Sequence, residues 1–339
     1  MFEPVNESRS LLVERPGEIR IVTGAPFGAP GHDEALVRVA YAGICGSDRE
    51  LVAGTRAPGY VRYPVVPGHE WSGTVVDLGP EADPRLLGRK VVGEGFRYCG
   101  RCTACRRGDT NLCLSGYDET GFTRPGACAD LLRLPARLLH PLPDDADLRA
   151  AALVEPAACV ADAVRVAGLS PGERVAVVGG GTLGLLAVQL AAAHTPSELL
   201  VVDPRPRPVA AACGASGVLS PDRADRYRGT FDAVIECAGT YGTGRAAISL
   251  LRRGGRVVLT GLNGGADVAL SPAELVAGAV TVRTVFGAPS RAWSDAVAAL
   301  GDGRLRPEPL ISDELLLDDA GTALAPDAAV PDGKVLLRP

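Results

Sequence analysis

The sequence predicts an α/β protein in two domains, one rich in β-strands and one built on a doubly wound parallel sheet. The length of 339 residues suits two domains of ordinary size. Residues 34–44 and 71–79 alternate apolar and polar side chains between Gly and Pro, a pattern that is typical of half-buried strands. After about residue 158, short apolar strands alternate with helical stretches, which predicts βαβ units and a parallel sheet.

The second part contains five predicted strands and three predicted helices. The strand patterns cover residues 174–180, 198–203, 231–239, 255–262 and 280–287, and the helical patterns cover 182–194, 244–253 and 290–303. From about residue 304, short strand-like pieces return. The uncharged stretch 175–193 approaches the length of a membrane span, but three consecutive glycines interrupt it. A strand, a turn and a buried helix therefore explain it better.

The composition argues against a nucleic-acid-binding protein, because the net charge is −5 and no basic, aromatic patch is present. The first ten residues, MFEPVNESRS, are acidic and polar, unlike a signal peptide. We therefore expect a cytoplasmic protein that binds neither nucleic acid nor a membrane. In a reducing compartment, clustered cysteines indicate metal binding rather than disulfides.

Four cysteines predict a structural zinc site: Cys99, Cys102, Cys105 and Cys113. Four thiolates can surround one tetrahedral zinc, and short gaps keep the entropic cost of loop closure low. An iron–sulfur cluster is the alternative. The bacterial ferredoxin pattern, however, has a three-residue gap before a Cys-Pro pair, whereas here the gap is seven residues and Leu114 follows. A zinc with four cysteine ligands has no open position, so the chemistry must lie elsewhere.

The segment VVGGGTLG (177–184) predicts a dinucleotide site, because it follows a strand, opens a helix and contains the G-x-G-x-x-G pattern. Gly179 permits the tight turn, Gly181 lets the backbone approach a pyrophosphate, and Gly184 lets the helix pack on the strand. Thr182 and Leu183 complete the turn at the helix N-terminus, where free N–H groups favour a phosphate. These features predict a Rossmann domain.

Asp203 favours NAD over NADP as the cofactor. It ends the second strand, nineteen residues after Gly184, where an acidic side chain accepts hydrogen bonds from the adenosine ribose and repels a 2′-phosphate. Arg205 and Arg207 follow, which is compatible with a phosphate. Three prolines stiffen that loop, however, and no arginine replaces the acid itself.

Three further segments contain residues of the types that commonly bind metals. Cys45 lies in GICGSDRE, His69 and Glu70 lie in PGHEWSG, and Glu155 lies in ALVEPAA. A catalytic zinc uses about three such ligands and leaves one position for water or substrate. Each residue also has an ordinary interpretation: Cys45 as a small buried residue, His69 as a hydrogen-bonded core residue, and Glu155 as the partner of an arginine.

Over essentially its whole length, the sequence resembles the zinc-containing medium-chain dehydrogenases. The matching motifs occur in the family's order: Cys45-Gly-Ser-Asp, Gly68-His-Glu, the four-cysteine lobe, Glu155-Pro156 and the glycine turn at Gly179. The first and fourth motifs resemble the polyol, sorbitol and threonine dehydrogenase branch. The resemblance implies a catalytic domain with a GroES-like barrel in residues 1–157 and 299–339, and a Rossmann domain in residues 158–298.

The resemblance also implies a catalytic zinc, which brings the expected total to two zinc ions per chain. Cys45 and His69 would bind it, while Glu70 and Glu155 would alternate as ligands or act through water. Asp48 would orient the imidazole of His69. Loops near Ser47 and in residues 116–124 and 286–290 would line the substrate pocket.

The implied chemistry is the oxidation of an alcohol to a ketone. Zinc lowers the pKa of the substrate hydroxyl, Ser47 accepts the proton, and the hydride passes to the nicotinamide. Glu50 departs from the family, which commonly has a histidine five positions after the zinc cysteine as part of a proton path. Two hypotheses stay open: Glu50 is a tuned proton relay, or it is a solvent-facing carboxylate.

The function expected from the sequence is a zinc- and NAD-dependent dehydrogenase of secondary alcohols of the polyol, sugar or cyclitol type. Oxidation of an aminocyclitol similar to 2-deoxy-scyllo-inosamine, in antibiotic biosynthesis, belongs to this group. A non-catalytic NAD-binding redox sensor is the alternative from another class, but such a protein would be expected to lose zinc ligands. Analogy with polyol dehydrogenases suggests a homo-oligomer, either a dimer or a tetramer.

Overall fold

The computed structural model describes residues 7–24, 28–261, 269–325 and 332–339. The strands are β1 (Ser8–Arg15), β2 (Glu18–Gly24), β3 (Glu34–Ile44), β4 (Glu70–Leu78), β5 (Lys90–Gly93), β6 (Leu131–Pro135), β7 (Leu139–Pro141), β8 (Arg174–Val178), β9 (Glu198–Val202), β10 (Gly217–Leu219), β11 (Phe231–Glu236), β12 (Leu251–Leu259), β13 (Thr281–Thr284), β14 (Ile311–Leu316) and β15 (Lys334–Arg338).

The helices are α1 (Gly46–Ala53), α2 (Thr103–Arg106), α3 (Leu148–Ala151), α4 (Val154–Ala167), α5 (Thr182–Ala192), α6 (Pro221–Ala224), α7 (Thr243–Leu250), α8 (Pro272–Gly278), α9 (Ser290–Gly301) and α10 (Ala320–Leu324). Short 3-10 turns lie at Pro84–Leu86, Thr110–Leu112, Ala136–Leu138, Pro208–Ala210, Asp225–Tyr227, Glu308–Leu310 and Leu317–Asp319. Among the described residues, none of the helices combines the length and the apolar character that crossing a bilayer requires.

The chain divides into two compact units. One comprises Met1–Glu155, Pro289–Val297 and Ile311–Pro339, and the other comprises Pro156–Ala288 and Ala298–Leu310. The predicted domains, 1–157 with 299–339 and 158–298, differ from these units mainly in residues 289–310. The first residues of α9 group with the first unit because Ser290 hydrogen-bonds to Thr110 and Glu94. As folding units, the predicted domains remain a proposal.

The first unit is built on an almost wholly antiparallel sheet. Its strand order is β14-β15-β3-β4-β5-β7, and β6 also pairs with β3. The long strand β3 buries Ala35, Leu36, Val37 and Val39 while Arg38 stays exposed, so the alternation that the sequence predicts appears only at residues 37–39. Trp71 of β4 packs in the same core. This core fixes the ends of β3 and β4, where the candidate site begins.

The second unit contains a six-stranded parallel sheet in the order β10-β9-β8-β11-β12-β13. Counted from β8, this is the 3-2-1-4-5-6 order of doubly wound dinucleotide-binding sheets. The strand order reverses between β8 and β11, and ligands of such sheets bind at this point. The predicted α/β fold is confirmed.

Several predicted elements end earlier than the sequence suggested. The helix predicted over 244–253 stops at Leu250, because Leu251 is extended and begins β12. The strand predicted over 231–239 ends at Glu236, whose carboxylate accepts hydrogen bonds from the N–H groups of Ala238 and Gly239 and so forms a turn. Leu262, at the end of the predicted strand 255–262, lies outside the described residues.

Candidate functional site

Three of the predicted metal ligands come together at the ends of β3 and β4. Gly43 lies opposite Glu70 in the antiparallel pairing of these strands, and Cys45 follows β3 directly as the N-cap residue of α1. The Sγ of Cys45, a ring nitrogen of His69 and a carboxylate oxygen of Glu70 all lie within 4.8 Å of one another. A soft sulfur, an imidazole and a carboxylate form the mixed donor set that suits a catalytic zinc.

The imidazole of His69 faces the carboxylate of Asp48 with its Nδ1 atom. Their Nδ1 and Oδ1 atoms lie 3.3 Å apart, and both side chains are buried. The second oxygen of Asp48 accepts a hydrogen bond of 2.9 Å from the N–H of Cys45. Burial disfavours a charged imidazole, yet the Asp48 carboxylate raises the pKa of His69 well above its ordinary value. Since Nδ1 faces Asp48, Nε2 is the nitrogen left for a metal.

Glu70 has a partner that sequence reasoning missed. The Nζ of Lys334, on β15, lies 2.7 Å from Oε1 of Glu70 and 3.2 Å from the carbonyl oxygen of Ile44. Both side chains are buried, with exposures of 6% for Lys334 and 1% for Glu70. Only two lysines occur in this arginine-rich chain, Lys90 and Lys334. This scarcity is the sequence feature that could have drawn attention to Lys334. Lys334 compensates the buried charge of Glu70. Its ammonium group therefore competes with a metal ion for the Glu70 carboxylate.

The remaining predicted residues of this site are not in the three-ligand group. Glu155 lies in the first turn of α4, and its charge acts on Lys334 and Glu119. Ser47 lies half-buried in the first turn of α1, and Glu50 is exposed on the same helix. Their roles as water-linked ligand, proton acceptor and relay stay predictions.

The four-cysteine lobe has the geometry of a metal site. The four Sγ atoms lie within 4.8 Å of one another, and none of these cysteines is in a disulfide. The Sγ of Cys105 lies 3.4 Å from that of Cys102 and 4.0 Å from that of Cys99. A tetrahedron with zinc–sulfur bonds of about 2.3 Å places sulfurs about 3.8 Å apart. The lobe therefore fits one zinc.

Hydrogen bonds to the sulfurs favour the thiolate forms of Cys99 and Cys102 in this lobe. The hydroxyl of Ser115 and the N–H groups of Arg101 and Cys102 lower the pKa of Cys99 to about 5. The N–H of Leu114 also donates to the Sγ of Cys102, at 3.4 Å. A thiolate is the form that binds zinc. Burial, in contrast, raises the pKa of Cys105 to about 12, so this thiol would lose its proton only when a metal binds.

The glycine turn between β8 and α5 has room where a phosphate needs it. Gly179 has a φ of 99°, and a Cβ there would lie 2.8 Å from the backbone nitrogen of Ala238. A Cβ on Gly184 would overlap the carbonyl oxygen of Gly179. A Cβ on Gly181, in contrast, would meet nothing within 4 Å. Thr182 and Leu183, the first residues of α5, are half-buried beside this free space.

Asp203 is held by the turn and by two arginines. Its Oδ2 accepts hydrogen bonds from the N–H of Gly180 at 2.7 Å and from the guanidinium of Arg207 at 3.2 Å. Its Oδ1 accepts one from the N–H of Arg205 at 2.8 Å. Burial opposes ionisation, but these donors lower the pKa of Asp203. The two arginines noticed in the sequence are thus partners of Asp203, and Arg207 is itself buried.

Comparisons with known proteins agree with this geometry. Residues 31–144 match the family "Alcohol dehydrogenase GroES-like domain", and residues 182–302 match "Zinc-binding dehydrogenase". The sorbitol dehydrogenase of Halalkalibacterium halodurans is 28% identical, over 93% of this chain and 94% of that protein. The 2-dehydro-3-deoxy-L-galactonate 5-dehydrogenase of Pseudoalteromonas atlantica is 31% identical, over 90% of this chain and 91% of that protein.

A solved structure is also similar over nearly the whole chain. It is described as a zinc-binding dehydrogenase from Sinorhizobium meliloti 1021 bound to NADP. It has a TM-score of 0.91 and 30% sequence identity, and it covers 98% of this chain and 99% of its own. The fold and the donor sets thus define a metal-dependent, dinucleotide-binding oxidoreductase. The chain belongs to the zinc-dependent medium-chain alcohol dehydrogenase family, in its polyol dehydrogenase branch.

We predict that the two clusters each hold one zinc ion, so that elemental analysis of the purified protein gives about two per chain. Cys45→Ser should lower the content by about one and leave the thermal midpoint nearly unchanged. Cys102→Ser should also lose about one zinc but reduce the midpoint, because zinc binding there is coupled to folding of the lobe. Cys213→Ser, outside both clusters, is the control. One zinc in the wild type would contradict the two-site assignment.

Lys334→Met should destabilise the zinc-free protein by about 3–5 kcal/mol, because it leaves the Glu70 carboxylate buried without a counter-ion. Lys90→Met is the matched control. Lys90 donates to the carbonyl oxygen of Ala146 at 2.7 Å, so its loss should cost only about 1 kcal/mol. Denaturant unfolding measures both variants. Equal losses would show that the Lys334–Glu70 pair does not carry a buried charge.

Proposed function

We propose that this chain transfers a hydride from a secondary alcohol of the polyol, sugar or cyclitol type to NAD and releases a ketone. The reaction balances as alcohol plus NAD⁺ giving ketone, NADH and one proton. The observation that carries the proposal is the group of Cys45, His69 and Glu70, backed by Asp48. Relatives named sorbitol dehydrogenase and 2-dehydro-3-deoxy-L-galactonate 5-dehydrogenase support the substrate class.

Each residue of the site has a proposed task. Cys45 and His69 hold the zinc, and Asp48 fixes the ring so that Nε2 faces it. Glu70 and Glu155 are further carboxylates for the metal or its water, and Lys334 limits how freely Glu70 moves toward it. When bound, zinc supplies a Lewis acid that lowers the pKa of the alcohol, and NAD supplies the hydride acceptor. Ser47 accepts the hydroxyl proton, and Glu50 is a candidate for passing it to water.

NAD is the proposed cofactor, although the S. meliloti protein is bound to NADP. The glycine turn from Gly179 to Gly184 would receive the pyrophosphate at the N-terminus of α5. The low pKa of Asp203 keeps a carboxylate where a 2′-phosphate would lie, and that charge repels the phosphate. Because Arg205 and Arg207 already contact Asp203, they support the carboxylate rather than replace it.

A homo-oligomer is part of the proposal. Strand β13 is an edge strand that pairs only with β12 in the described residues, and most of its side chains are exposed. Helix α8 has no buried residue, and Val276 on it is 81% exposed. An open strand edge suits pairing with a second copy, and Val276 on the preceding helix adds an exposed apolar side chain. A cytoplasmic location is proposed from the sequence, and none of the nine cysteines is in a disulfide in the structure.

The function is tested by measuring NADH formation with zinc-loaded protein over polyols, aldoses, cyclitols and amino alcohols, with Cys45→Ser as the inactive control. We expect oxidation of at least one substrate that has several hydroxyl groups, at a rate above that with simple alcohols. If NAD binds but no alcohol is oxidised by the zinc-loaded protein, the redox-sensor alternative replaces the proposal.

Asp203→Gly should raise kcat/KM with NADP and lower it with NAD. We expect a change of about tenfold in the ratio, since one lost charge repulsion or ribose hydrogen bond is worth about 1.4 kcal/mol. Steady-state kinetics with both cofactors provide the measurement. Asp222→Gly, an exposed acid of the same unit, is the control. Equal efficiency of the wild type with both cofactors would show that Asp203 is not the selecting residue.

A further inference from the structure

A buried carboxylate that none of the proposed steps uses lies close to the candidate catalytic site. Glu119, in the loop 116–124, is only 6% exposed, and burial raises its pKa to about 7. Its main chain is fixed, because its carbonyl oxygen accepts hydrogen bonds from the N–H groups of Thr123 and Arg124. Keeping an acid buried is costly unless it has partners. The position of Glu119 therefore calls for an explanation.

Arg56 and Tyr117 are the partners of Glu119. Tyr117 donates its hydroxyl hydrogen to Oε2 of Glu119, and it accepts a hydrogen bond of 2.8 Å from the guanidinium of Arg56. The same guanidinium lies 3.6 Å from Oε2 of Glu119 and 3.6 Å from the ring centre of Phe122. The side chain of Arg56 is only 14% exposed. We call Arg56, Tyr117, Glu119 and Phe122 the Glu119 cluster.

The Glu119 cluster adjoins the residues that would hold the catalytic zinc. The rings of Phe122 and His69 have centres 4.8 Å apart. A Cβ on Gly121 would lie 2.9 Å from the backbone of Gly68, so the loop packs against the chain next to His69. The charges of His69, Asp48 and Glu155 all act on Glu119. A substrate held at the zinc site would therefore be near the cluster.

One oxygen of Glu119 is left over. Oε2 takes the Tyr117 hydroxyl and faces Arg56, but within the described residues Oε1 accepts no hydrogen bond. Oε1 lies beside Gly95, where a Cβ would approach it to 3.2 Å, so the missing side chain of Gly95 leaves this oxygen room. The Arg56 guanidinium lies 3.6 Å from Oε2 of Glu119 and offsets part of its charge. The cluster thus offers both an acceptor and a donor, a combination that suits a hydroxyl or an amino group.

We propose that Glu119 and Arg56 bind a hydroxyl or amino group of the substrate away from the carbon that is oxidised, and so select polyhydroxylated substrates over simple alcohols. This inference rests on the proposed function. A site with buried polar partners rejects an analogue that lacks the matching group, because the partners then stay unpaired. The half-buried ring of Tyr117 offers an apolar face to the C–H groups of such a substrate, whereas Phe122 is fully buried and packs under the Arg56 guanidinium.

The test compares E119Q with the wild type on three alcohols: cyclohexanol, which has no second polar group; myo-inositol, which has hydroxyls; and 2-aminocyclohexanol, which has an amine. We expect kcat/KM for at least one of the last two to fall about ten- to a hundredfold, mainly through KM. For cyclohexanol it should change less than about threefold. Tyr117→Phe keeps Glu119 but removes one partner, and it should give a smaller loss with the same selectivity. Glu81→Gln, on the exposed surface, is the matched control.

Two outcomes would overturn the inference. An equal fall in kcat/KM with all three alcohols would show that Glu119 has only a structural role. An unchanged kcat/KM with all three would show that Glu119 does not contact the substrate. Zinc content and thermal midpoint of E119Q show whether the variant has folded. If the wild type oxidises no alcohol, the proposed function fails separately. Calorimetric binding of myo-inositol and 2-aminocyclohexanol then tests the cluster without turnover, and equal affinities of wild type and E119Q for both ligands would contradict it.

Discussion

The pairing of β3 with β4 is the constraint on which the candidate active site depends. Gly43 lies opposite Glu70, and a Cβ at residue 43 would overlap the Glu70 carboxylate, so only glycine leaves that carboxylate in place. The pairing also brings Cys45, just after β3, next to His69, just before β4. On the other side of β3, β15 supplies Lys334 as the counter-ion of Glu70. The two pairings of β3, with β4 and with β15, therefore place the donor atoms and the charge that balances them.

Much of the fold and of the donor sets could be predicted because local chemistry determines them. The cysteines of the lobe lie within fifteen residues, so their spacing alone predicts a common metal. The glycine turn lies between a strand and a helix, and Gly179 and Gly184 are indeed positions where a side chain would not fit. Cys45 and His69 are further apart in sequence, and residue types alone left their meaning open. Only the resemblance to a family predicted that Cys45 and His69 bind the same metal, and the structure brings their side chains together.

The residues that sequence reasoning missed depend on contacts between distant segments. Lys334 contacts Glu70 although the two residues lie 264 positions apart in the sequence. Neither residue type alone predicts such an ion pair. The position of Arg207 in the sequence is compatible with a phosphate ligand. In the structure, Arg207 instead forms an ion pair with Asp203, because the backbone bends after β9. Glu119 was one residue in a loop expected to line a pocket. Its burial and its contact with Arg56, 63 positions earlier, become visible only in three dimensions. In each case the charge of one residue is explained by its partner.

The most direct test of the two-metal assignment is a crystal structure of the purified protein with anomalous data collected at the zinc edge. We expect two peaks per chain. One lies among the sulfurs of the four-cysteine lobe. The other lies about 2.3 Å from the Sγ of Cys45 and about 2.0–2.1 Å from Nε2 of His69. A single peak in the lobe, or a second peak that touches neither Cys45 nor His69, would contradict the claim that the β3–β4 pairing builds a catalytic metal site.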